Sequence, residues 1–111
     1  QVYYRTPQSI RLAEAMMTEL AEGIKLKRGG VRNGNFHVIR ETKMPSVLIE
    51  TAFINNDVEE ELLCQPEFRQ KVAQSILNGL RRYAATPAWQ QRRTDQAAAA
   101  PPAPASSESG Q

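Results

Sequence analysis

Residues 46 to 50 read SVLIE: three large apolar side chains in a row, Val47, Leu48 and Ile49, run straight into the carboxylate of Glu50. A continuous apolar run this short suits a strand buried on both faces, as in a parallel sheet under helices. Such a strand needs amphipathic helices to cover it, and two stretches have that pattern. Between Thr6 and Ile24, Ile10, Ala13, Met17, Leu20 and Ile24 recur at helical spacing and form one apolar stripe. Thr6 can cap this helix, and Pro7 fits its first turn, where a missing N–H costs nothing. Met16 and Met17 read as core filler. From Pro66 onward, Phe68, Val72, Ile76, Leu80 and Tyr83 step by four, four, four and three. Arg81 and Arg82 then fall in the last turn, where cations are favoured.

The remaining segments supply more extended chain and a short helix. QVYYRT, at the front, reads as a strand or strand end, and FHVIR (36 to 40) reads as a strand. Gly29-Gly30 breaks the chain, and ETKMP is a connector, because residues before Pro45 avoid helical geometry. Asn56 can cap a short helix, with Glu59 three residues on as a capping box requires and Leu62 and Leu63 as its apolar contacts. The order is helix, strand, strand, helix, helix, with an extended segment in front. The fold class is α/β, and the pattern resembles one end of a layered domain.

Composition shifts near residue 84. AAAAPPAPA at 97 to 105, followed by SSESGQ, cannot bury enough apolar area to offset ordering. Two regions are therefore expected: a folded part, 1–85, and an Ala/Pro/Ser-rich disordered tail or linker, 86–111. Trp89 either packs back on the domain or marks a short segment before the linker. The chain has 111 residues and begins with Gln1, which suggests a piece of a longer product; a mature or engineered start is the other reading. No run is long enough to span a bilayer, and no signal-peptide pattern is present. The single Cys64 excludes an internal disulfide, and can be a small buried residue or a partly exposed one. A net charge of +2 is too small to imply nucleic acid. Lys25, Lys27, Arg28 and Arg32 form the nearest thing to a basic patch, either a solvated turn or a contact for an anionic partner.

The acid at the end of the apolar run is the feature that calls for chemistry. In open α/β sheets, function gathers beyond the carboxyl ends of strands, and Glu50 occupies such an end. Either it emerges into solvent and accepts backbone N–H bonds, or it is partly buried and serves in proton transfer.

VYYRTPQSIRLAEAM, followed by GVRNGNFHVIRETKMPSVLIETAFINNDVEEELLCQPEFRQKVAQSILNGLRRY, resembles the C-terminal part of a bacterial zinc-dependent N-acetylmuramoyl-L-alanine amidase. The similar group is the cell-wall amidases of daughter-cell separation, also found among sporulation and phage lysins. The likeness covers nearly all of residues 1 to 83. Its most specific segment is Met44 to Asn56, where a proline, an apolar strand, Glu50 and a Phe-x-x-Asn element come in order. The implied fold is the C-terminal fragment of a layered helix-sheet-helix zinc amidase domain. The implied reaction is hydrolysis of the amide between N-acetylmuramic acid and L-alanine of peptidoglycan, by a zinc-activated water with Glu50 as catalytic acid/base.

The resemblance also says what is missing. The family's Zn2+ ligands, two histidines and a glutamate, lie upstream of the residues matched here, and a lone His37 cannot build that site. No metal ligand is therefore assigned in this chain, His37 is given a structural or surface role, and the isolated chain is expected to be inactive. Ala52 stands where glycine is common in the family, and Asn55 where serine is common. Implied partners are peptidoglycan and, for the whole protein, a regulatory protein or a further wall-binding module. The implied location is periplasmic or extracellular. The alternative is a noncatalytic wall-binding or regulatory module derived from the same fold.

Overall fold

The first apolar stripe folds as expected: helix α1 runs Ile10–Ile24, entered through a 3-10 turn, Pro7–Ser9, with Pro7 in its first position. The structure, a computed structural model, describes residues 1–25, 29–51, 57–102 and 104. The buried side of α1 is broader than a single stripe. Leu12, Ala13, Ala15, Met16 and Leu20 are buried, while Ile10, Met17 and Ile24 are only half-buried. α1 is broad-faced because it is sandwiched: one flank meets strand β1, Val2–Tyr4, and the other meets the long helix α4, Pro66–Ala84. Side chains such as Met16 and Leu20, at 2% and 1% exposure, each contribute about 1.5–3 kcal/mol by leaving water.

The line by which α4 meets α1 is not the row of large residues. Its buried positions are Ser75, Gly79 and Tyr83, with Val72 and Ile76 half-buried beside them and Leu80 left 48% exposed. Small residues sit on that line because the helices cross closely. A Cβ on Gly79 would lie 2.7 Å from Met16 Sδ and 3.0 Å from Met16 Cα, and a Cβ on Gly23 would collide with the Ser75 hydroxyl. That hydroxyl turns back to the Lys71 carbonyl at 2.8 Å, so it needs no partner across the interface.

Three short strands form the sheet, in the order β2-β1-β3. β2, Val31–Asn33, runs parallel to β1 after the α1 crossover, which is the connection a parallel pair requires. β3, Leu48–Ile49, runs antiparallel to β1. Two expectations are corrected here. The run at 46 to 50 is neither parallel nor buried on both faces: it contributes a two-residue antiparallel edge strand with both residues half-buried. FHVIR is not a strand: His37–Arg40 is one helical turn, α2, after an extended Phe36. Within it only Ile39 is buried, and Val38 is 66% exposed, so a single turn that aims one side chain inward satisfies the segment.

Helix α3, Asp57–Cys64, carries Asp57, Glu59 and Glu60 in its first turn, as its acidic start suggested, and Cys64 at its end is exposed. The cap expected at Asn56 lies outside the described residues. Beyond α4, the segment from 86 to 111, read as a tail or linker, holds one further described element. Pro87–Ala99 is helix α5, with Thr86 as N-cap and Pro87 in its first turn. Alanine, the best helix former, supplies local propensity that a reading based on core-forming capacity alone does not count.

Candidate functional site

The register fixes which side chains share a face. Val2 pairs with Val31 on one side and Ile49 on the other, and all three belong to the packed core. The next row, Arg32, Tyr3 and Leu48, points the opposite way because strand side chains alternate. The antiparallel pairing continues one residue past β3. Glu50 N–H donates to the Gln1 carbonyl at 2.9 Å, and the Gln1 amino nitrogen donates to the Glu50 carbonyl at 2.9 Å. This reciprocal pair puts Glu50 on the same face as Leu48 and Tyr3, away from α1 and α4.

Glu50 thus follows the carboxyl end of β3, half-buried, beside the head of β1. Arg32 stands in the same register row as Tyr3 and Leu48, so acid and guanidinium share this face of the sheet. Along the same face, the Phe36 ring meets Tyr3 edge-on, with centroids 5.0 Å apart, and forms an aromatic wall on the β2 side.

The approach to Glu50 is held by polar tethers. Ser46 N–H donates to the hydroxyl of the fully buried Ser9 at 3.1 Å, and Ser46 Oγ donates to the Ile39 carbonyl at 3.2 Å. Ser9 sits in the turn before α1, so the turn and the connector into β3 are joined from inside.

Among the described residues no group of three His, Cys, Asp or Glu side chains could hold a metal ion. His37, on α2, is exposed, with Nδ1 3.2 Å from an Arg40 guanidinium nitrogen and 4.0 Å from Glu41 Oε1. Its surroundings are those of a surface residue. Of the basic patch, Lys25 and Arg32 are exposed, and Lys27 and Arg28 lie outside the described residues, as do Ala52 and Asn55. Sequence reasoning grouped Arg32 with a turn and missed its place opposite Tyr3. The V-R-N triplet after the glycine pair is the pattern that could have revealed a strand there. No helix among the described residues is long and apolar enough to cross a membrane.

The chain is an α/β arrangement in which a carboxylate follows the end of an edge strand. The chain belongs to the N-acetylmuramoyl-L-alanine amidase family, whose sequence pattern matches residues 1–82. It is 44% identical over 75 residues to the N-acetylmuramoyl-L-alanine amidase AmiC of Neisseria meningitidis serogroup B, covering 68% of this chain and 18% of that protein. The catalytic domain of CwlV, an N-acetylmuramoyl-L-alanine amidase of Paenibacillus polymyxa, superposes with a TM-score of 0.71 at 41% identity, covering 74% of this chain and 46% of that one. The CwlD amidase of Clostridioides difficile, solved in complex with the GerS lipoprotein, superposes with a TM-score of 0.72 at 27% identity, covering 77% and 45%. The chain spans only 15–20% of the length of the first three curated relatives it matches.

Proposed function

We propose that this chain supplies the glutamate wall of a peptidoglycan amidase, with Glu50 as the general acid/base that cleaves the bond between N-acetylmuramic acid and L-alanine. The reading is supported by the position of Glu50: at a strand end, half-buried, on the sheet face that α1 and α4 leave open. Glu50 accepts a proton from the attacking water as its oxygen adds to the amide carbonyl carbon. The same carboxyl then delivers that proton to the alanine nitrogen as the C–N bond breaks. A zinc ion held by ligands from outside these 111 residues would supply Lewis-acid chemistry, since no group among the described residues could hold it. The substrate places the reaction in the cell envelope, periplasmic or extracellular, where a regulatory protein is a fitting partner.

The test is Glu50→Gln in the intact protein, which keeps size and hydrogen bonding but removes the base. Turnover of purified peptidoglycan falls on the order of 10²–10⁴-fold, with peptidoglycan binding retained. Full turnover in that variant sinks the assignment. A second reading is a noncatalytic wall-binding or regulatory module derived from the same fold, which an upstream sequence without the two histidines and the glutamate would favour. Peptidoglycan binding by the intact protein, without release of stem peptides and without bound zinc, would support that module instead.

A further inference from the structure

We infer that helix α5 is a strap added to the amidase fold, and that Arg92 on it is a positioning residue for the strand that ends in Glu50. The family match stops at residue 82, yet the chain continues into a helix that packs back on the domain. Thr86 starts it: the hydroxyl donates to the Tyr83 carbonyl at 2.6 Å and accepts from Trp89 N–H at 3.3 Å. Trp89 then lies against Tyr83, with ring centroids 5.7 Å apart, and Gln90 donates to the Ala84 carbonyl at 2.9 Å. One turn further, Arg92 reaches in two directions. Nη1 donates to Gln8 Oε1 at 3.1 Å, and Nη2 donates to the Lys43 carbonyl at 3.0 Å.

These two bonds join the turn before α1 to the connector before β3. The buried Ser9–Ser46 bond joins the same turn and the same connector from the inner side. Met44 and Pro45 of the connector line an apolar pocket of about 280 Å3 together with Leu12, Leu80, Tyr83 and Trp89. Residues 41 to 47 have no helix or strand of their own, and β3 offers only two residues of pairing. The path into Glu50 therefore depends on side-chain ties, and α5 provides the outermost. A guanidinium suits the task, because its planar fork presents two donors at once to separate acceptors. Its Nε is buried without a hydrogen-bond partner among the described residues, so the guanidinium is held through its two Nη atoms.

The experiment is amide hydrogen exchange on the full chain, comparing the parent with Arg92→Ala and Arg92→Lys. In Arg92→Ala, exchange across residues 46 to 50 speeds up about fivefold, the factor one hydrogen bond of ordinary net strength supplies. The Leu20 and Ser75 amides, in the α1–α4 interface, keep their parental rates. Arg92→Lys, which retains one charged donor, recovers at least part of the protection. Parental exchange at 46 to 50 overturns the inference, and so does acceleration spread evenly over α1 and α4. In the intact protein the link to catalysis, which rests on the proposed role of Glu50, is read as a fall in kcat at constant KM. The exchange result stands apart from that role, so failure of the strap and failure of the Glu50 assignment give different data.

Discussion

Ser46 N–H donates 3.1 Å into the hydroxyl of Ser9, a side chain with no exposure to solvent, 37 residues earlier in the chain. Ser9 Oγ is also 3.0 Å from Thr6 Oγ1, so one buried oxygen organises the turn into α1 and the approach to β3. Ser9→Ala leaves the Ser46 N–H without that acceptor and should cost about 1–3 kcal/mol. Urea unfolding measures it, with Gln70→Ala on the exposed side of α4 as control, expected within about 0.5 kcal/mol of the parent. Equal midpoints for the two variants would show that the buried bond contributes nothing.

Gly79 lies where α4 passes close to Met16 of α1. In an exposed helix, Gly→Ala stabilises by roughly 1 kcal/mol. Here the added methyl meets Met16 at 2.7 Å and, less yieldingly, its Cα at 3.0 Å. Gly79→Ala is therefore expected to destabilise, by about 1–3 kcal/mol, with a thermal melt as the readout. A raised melting temperature would mean that the helices separate without penalty.

Thr86 tests whether α5 is held by its own first turn. Thr86→Ala removes the acceptor for Trp89 N–H and should cost about 1 kcal/mol. The loss should appear as a weakened Trp89 signal in near-UV circular dichroism, with the α1–α4 core intact. An unchanged spectrum would place Trp89 on Tyr83 independently of the cap.

Tyr83 gives a pH dependence with a definite sign. Burial raises its phenol above the ordinary 10.0, with the Arg92 guanidinium opposing. Below that ordinary value both folded and unfolded chains carry the proton, and the Tyr83 contribution is fully present. As pH rises past it, the unfolded chain releases the proton first, so stability declines until the folded phenol has ionised as well. Tyr83→Phe should therefore show a shallower loss of stability than the parent above pH 10.0, seen in urea midpoints across that range. Parallel curves would refute the shift.

The two helices that make the core, and the family to which the chain belongs, are legible along the chain alone. Periodicity is a local property: Ile10 to Ile24 and Phe68 to Tyr83 carry their spacing wherever the helix lies. The apolar run before Glu50 marked the strand end just as locally. Packing between distant segments settled the rest. It chose Ser75 and Gly79 over Leu80 as the line facing α1, because helices that cross closely need small side chains at the contact. It turned His37–Arg40 into a helical turn and made Val31–Asn33 the strand beside β1, since pairing depends on which edge is free. It also drew Pro87–Ala99 back onto the domain through Trp89 and Arg92, whose partners lie far away in sequence or on another helix. A pattern along the chain records what each segment prefers, whereas the face it buries and the partner it meets depend on what else arrives at the same place.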